Sequence, residues 1–113
     1  MDIQTPDKLA EIRRLNDQFR TTFRGGQILL TASLAELPDM VKASALEKVA
    51  SFRDFNEEND PREERDYGSF DHCDREVWFK IDYFNLTMDG VSVDPANVAV
   101  TKRIMTIGLA QDW

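Results

Sequence analysis

The chain has almost nothing from which to build a covalent staple or a metal cage. It holds one cysteine, Cys73, and one histidine, His72. A single thiol cannot close an internal disulfide, and one thiol beside one imidazole cannot make a multi-cysteine or multi-histidine zinc site. No apolar run exceeds three or four residues, too short to span a bilayer. The start, Met1-Asp2-Ile3-Gln4, lacks a basic region leading into an apolar stretch, so no secretory signal is expected. With the sparse cysteine usage, this points to a reducing cytoplasm. No glycine-rich phosphate loop, nucleophile elbow or zinc motif occurs, and no cofactor is expected. Internal repeats and low-complexity tracts are also lacking.

What is present is ordinary globular material. Hydrophobic residues make up 42% of 113 residues and charged residues 31%, enough apolar content for one core and one domain, residues 1–113. The net charge of −7 comes from 21 acids against 14 bases. Between residues 54 and 76 stand ten acids and three bases, so this stretch alone carries the whole imbalance. The helix-like segment from Pro6 to Arg24 is slightly basic. Direct nucleic-acid binding needs Lys and Arg to displace counterions from phosphates, and an acidic chain with one modest basic helix is poorly suited to it. An acidic protrusion suits a basic protein partner or a cation.

The order of elements reads helix, strand, helix, then three strands. Thr5-Pro6 has the form of a helix start, and Leu9, Ile12, Leu15, Phe19 and Phe23 make one apolar stripe up to a stop at Gly25-Gly26. Gln27–Thr31 reads as a strand. Ser33–Glu36 reads as a tight turn before Pro38, and a second helix follows to about Phe52, with Val41, Ala45, Leu46, Val49 and Phe52 inward. Residues 56–66 form a polar, mobile loop. Strands are expected over 67–73, 76–86 and 101–110, the first two joined by a turn at 71–75. In the long strand Val77, Phe79, Ile81 and Tyr83 share one face; Trp78, Lys80, Asp82 and Phe84 share the other. The fold class expected is α+β, with two helices packed on one face of a four-stranded, mostly antiparallel sheet.

Five blocks in the chain recur together in one family: Asn59-Asp60-Pro61, Glu64-Arg65-Asp66-Tyr67-Gly68, Trp78 to Phe84, Asp94-Pro95-Ala96, and Thr101 to Ile107. On these blocks the chain resembles a small bacterial family of unknown function, often carried on plasmids and other mobile elements. The resemblance runs from about Ile12 to the C-terminus and implies no established activity. The family tends to have histidine where this chain has Arg65, so a role that required an imidazole there would be missing.

Four places invite a chemical reading. A calcium loop begun at Asp54 would use Asn56 and Glu58, but its sixth and twelfth places hold Asn59 and Arg65 instead of Gly and Glu, so no metal site is expected. His72 and Cys73 could pair, but neighbours on a strand point to opposite faces, and the acidic setting disfavours a thiolate. Asp66, Lys80, Asp82 and Arg103 could form a small hydrolase-like constellation; cross-strand ion pairing explains the same charges. Trp78 and Phe84 lie in a strand that is bulky on both faces, so something must cover the second face: a partner, a second copy in a homodimer, or the tail ending in Trp113.

The leading expectation is a non-catalytic acidic module that binds a basic protein. The mobile-element resemblance adds an anti-defence inhibitor, of anti-CRISPR or antirestriction type, that occupies a groove meant for nucleic acid. Glu57, Glu58, Asp60, Glu63, Glu64 and Asp66 would act as phosphate mimics, with Trp78 and Phe84 beside them. The small-enzyme reading is the alternative.

Overall fold

The computed structural model describes residues 5–112. Helix α1 covers Pro6–Thr22, with the Thr5 side chain accepting the Lys8 N–H and proline at the first helical position. Strand β1 is Gln27–Leu30, helix α2 Ala32–Ala35 and helix α3 Asp39–Ser51. Strands β2 (Tyr67–His72), β3 (Arg75–Phe84) and β4 (Lys102–Leu109) follow, with short 3₁₀ turns at Val98–Val100 and Ala110–Asp112.

The sheet order is β1-β4-β3-β2. Strands β2, β3 and β4 form an antiparallel meander, and β1 joins it parallel to β4. The α+β class and the mostly antiparallel four-stranded sheet are therefore as expected. Alternation along the strands places Val77, Phe79 and Ile81 opposite Leu109, Ile107 and Met105 on the helix-facing side. These six join Phe19, Leu34, Ala45, Val49 and Phe52 in one buried cluster. Phe52, Phe55 and Phe79 meet edge-to-face, with centroids 5.0–6.4 Å apart.

Several boundaries differ from the sequence reading, each for a local reason. Helix α1 stops at Thr22 because Phe23 takes the left-handed conformation, φ 60°, and its N–H returns to the Phe19 carbonyl. Gly25-Gly26 begin two residues later. At Gly26 a Cβ would lie 2.4 Å from the Arg103 carbonyl oxygen, so glycine lets the chain pass against β4. The segment after β1 makes one helical turn instead of a simple reversal, and it buries Leu34 in the core. The β2–β3 turn is two residues long, Cys73-Asp74, both at positive φ (52° and 63°), which matches the twist of a tight hairpin. Strand β3 ends at Phe84, and the link to β4 occupies residues 85–101. That link is not a short connection. It folds back along β3, with a bridge from Phe84 to Val91 and a hydrogen bond from the Ser92 N–H to the Tyr83 carbonyl.

Candidate functional site

Residues 56–66, expected to form a polar, mobile loop, are held by local hydrogen bonds. Asn56 Oδ1 accepts the N–H groups of Glu58 and Asn59 at 2.8 and 3.0 Å. Asn59 in turn accepts the Asn56 N–H and donates to the Asp54 carbonyl, both at 2.8 Å. These are the local side-chain-to-backbone bonds that asparagine makes readily. Phe55 packs against the core from the wider segment 53–66.

The six carboxylates expected on its surface fall into two groups. Glu57, Glu58 and Glu63 are exposed. Asp60, Glu64 and Asp66 are buried, at 7%, 7% and 6% exposure, and each is used by the chain itself. Asp60 accepts the Arg65 N–H at 2.9 Å, and burial pushes its carboxyl above the usual range. Glu64 accepts the Tyr83 hydroxyl at 2.8 Å. Asp66 lies 3.3 Å from Lys80 Nζ and 3.5 Å from an Arg62 nitrogen. The left-handed residues Glu63 and Arg65 flank Glu64 and turn the chain so that Glu64 is buried between two neighbours that are not.

Glu64 belongs to a polar seam between α1 and the sheet. Asn16, with no exposed surface, donates to the Glu64 carbonyl at 2.9 Å and to the Tyr83 hydroxyl at 2.7 Å. Its Oδ1 accepts from Arg103 Nε at 2.9 Å. The Arg103 guanidinium lies 5.1 Å from the Tyr83 ring centre and donates to the Pro95 carbonyl. Burial pushes the Tyr83 phenol up and the Arg103 guanidinium down from their ordinary values. Sequence reasoning missed Asn16 and Arg20, which are buried on the same face of α1 as Ile12 and Phe19. A signal existed: both sit at helical spacing inside the apolar stripe, where a polar residue needs a partner.

The hydrolase-like quartet assembles only in part. Lys80 Nζ lies within 3.5 Å of both Asp66 and Asp82, and these three line a cleft of 320 Å³ with Glu64 and Tyr83. Arg103 does not line that cleft; it is held by Asn16 and Pro95. The cleft opens because β2 pairs with β3 only as far as Lys80, and the returning Val91–Val93 segment covers β3 again near Phe84. Phe84 is half-buried at its rim. Trp78 is 8% exposed and its indole N–H donates to the Leu109 carbonyl at 2.8 Å. It packs on the bare backbone of Gly108, where a Cβ would come within 2.8 Å of the ring. The C-terminal 3₁₀ turn also contacts β3, so the chain covers Trp78 itself. Trp113 lies outside the described residues.

At the far end of β2, Cys73 Sγ sits 3.6 Å from His72 Nε2. Their side chains were expected to diverge, but Cys73 has already left the strand for the left-handed turn, which breaks the alternation. The exposed acids Asp71, Asp74 and Glu76 cluster around this turn, about 20 Å of strand away from Glu63. The acidic stretch therefore presents two separate patches. Among the described residues, no group of three or more His, Cys, Asp or Glu is arranged to hold a metal, and no helix is long and apolar enough to cross a membrane.

Helices laid on one face of a mostly antiparallel sheet and joined to it by a polar seam define a small α+β protein without a recognised catalytic motif. The family described as "Protein of unknown function (DUF3768)" matches residues 30–112, and the chain belongs to it. No curated protein and no solved structure matches the chain. The match leaves α1 outside, so Asn16 contributes to the seam from beyond the matched segment.

Proposed function

We propose that this protein is a non-catalytic binding module that engages a basic protein surface through the exposed carboxylates of its 53–66 segment. The observation that carries this reading is the combination of exposure and fixation. Asp54, Glu57, Glu58 and Glu63 face solvent on a backbone held by the Asn56–Asn59 bonds and by buried Asp60. Charges held in place steer an encounter and lose little conformational freedom when a partner docks. The finer proposal is an anti-defence inhibitor, of anti-CRISPR or antirestriction type, that works in the cytoplasm and occupies a groove built for nucleic acid. The acidic patch and the resemblance to families on mobile elements support it.

The test reverses Glu57, Glu58 and Glu63 to Lys together and measures association with a partner captured from host lysate. Exposed charges of this kind change stability by only about 0.5 kcal/mol each, so the fold stays intact. The association rate falls, and added salt slows the wild type in the same way, because exposed charges are screened beyond about 8–10 Å. Equal association rates for the two proteins, insensitive to salt, would sink the proposal.

The second reading, a small hydrolase, has one observation in its favour: Glu64, Asp66, Lys80, Asp82 and Tyr83 line a single cleft. An ester- or phosphoester-cleaving activity that is lost in Asp82→Asn, with the fold unchanged by circular dichroism, would establish it. Absence of cleavage across such a panel would leave the binding module as the reading.

A further inference from the structure

In a chain with seven more acids than bases, three arginines share one small cleft. Arg20 from α1, Arg53 from the segment after α3, and Arg65 line a hollow of 240 Å³ together with Asp17, Thr21, Phe52 and Phe55. Asp17 is the one carboxylate there. It bridges Arg20 at 3.1 Å and Arg65 at 2.7 Å, which neutralises one of three positive charges and leaves two. The Phe55 ring fixes the geometry, with the Arg20 guanidinium 5.0 Å and the Arg65 guanidinium 5.8 Å from its centre. Arg20 is 4% exposed, and its Nε has no hydrogen-bond partner. A buried guanidinium donor without an acceptor is uncommon in a folded chain.

We propose that this cleft is a binding site for a small phosphate-type oxyanion, free phosphate or a compact phosphate monoester. Arg53 and Arg65 bind it directly, and Arg20 supplies buried positive charge behind them. Planar guanidinium forks match such oxygens well. Size limits the ligand, since 240 Å³ is below the roughly 300–1,000 Å³ of pockets for drug-sized molecules. The carboxylates of Glu57, Asp60 and Glu63 line the neighbouring cleft, which shares Phe55 and Arg65. They repel a second anion, so one ligand binds per chain. This site uses the arginines, whereas the protein-binding role proposed above uses the exposed carboxylates, Glu57 and Glu63 among them.

The experiment titrates the full chain with inorganic phosphate, and separately with glycerol phosphate, at constant ionic strength, following amide shifts and heat. The expected result is one saturable site. Arg53→Gln weakens it about tenfold or more, because one charge-assisted contact is lost. Arg53 is exposed, so this variant keeps the fold. Arg75→Gln, at the distant hairpin, leaves binding unchanged. Tighter binding of glycerol phosphate than of inorganic phosphate would identify a monoester as the ligand; the reverse order would identify free phosphate. Shifts that do not saturate, or that Arg53→Gln and Arg75→Gln reduce equally, would overturn the proposal by showing only general salt binding. Neither outcome bears on association with a basic partner, so the two readings fail separately.

Discussion

Replacing Asn16 by Ala removes the hub of the seam between α1 and the sheet. The side chain makes three hydrogen bonds, to the Glu64 carbonyl, the Tyr83 hydroxyl and Arg103 Nε. Two are neutral, worth about 1 kcal/mol each; the third involves a charged donor, worth about 1.5–3 kcal/mol. Tyr83 keeps its bond to Glu64, which limits the loss on that side. Arg103 keeps Pro95, but its Nε becomes a buried donor without an acceptor. The expected loss is about 3–5 kcal/mol, a large share of the roughly 5–15 kcal/mol that holds a domain of this size together. Urea unfolding followed by circular dichroism should show a lower midpoint with an unchanged slope. The second arm is Arg103→Met, which removes the charge together with its needs. The double variant should lose less than the sum of the singles, since Asn16 and Arg103 serve each other. A loss below about 1 kcal/mol in Asn16→Ala, or strict additivity in the double variant, would refute the claim that this seam locks the helix to the sheet.

Truncating Phe79 to Ala should cost about 3–5 kcal/mol in the same assay, because the ring is fully buried against Phe52 and Phe55; a cost under about 1 kcal/mol would contradict its place in the core. Asp74→Gly should stabilise by a few tenths to about 1 kcal/mol, since Asp74 sits at φ 63° where glycine is unstrained; a lower melting temperature would contradict the strain. Asp60 tests the pH dependence. Burial raises its folded carboxyl above the ordinary value of 3.8, so the native state holds this proton more tightly than the unfolded chain. Its contribution to stability is therefore greatest below 3.8 and declines as pH rises through the raised value. Asp60→Asn lacks that titration, so melting temperature against pH for the two proteins should diverge across this window, with the wild type losing ground as pH rises. Parallel curves would show that Asp60 is not perturbed.

Periodicity exposed most of the fold. The stripe Ile12-Phe19, the inner face of α3 and the alternation of β3 and β4 were all readable because burial of apolar surface imposes the period of each element. Phe23 was not readable as a helix stop, since a left-handed phenylalanine is chosen by packing and not by propensity. The candidate site was harder to see. A run of carboxylates looks alike whether solvent or the chain receives them. Only tertiary structure shows that Glu64 meets Tyr83 and Asp66 meets Lys80, 19 and 14 residues later, while Glu57 and Glu58 stay outside. The arginines were hidden for the same reason: Arg20, Arg53 and Arg65 are spread across the sequence, and nothing local predicts that Phe55 gathers two of them around one ring.

The strand order has a consequence for how the molecule comes into being. β4 lies inside the sheet, between β1 and β3, yet it is the last strand in the chain. Gln27 finds its partner at Ile104, so β1 must wait for the strand it pairs with until the segments between them have been made. Emerging from a ribosome, α1, β1 and α3 have no completed sheet to rest on, and the β2–β3 hairpin has one side unfilled. The sheet is therefore complete only once residues 102–109 are in place, and contacts this distant in sequence are slow to form. A chain lacking residues 102–109 would leave β1 and β3 without the strand that lies between them, and the apolar face they share with it open to solvent.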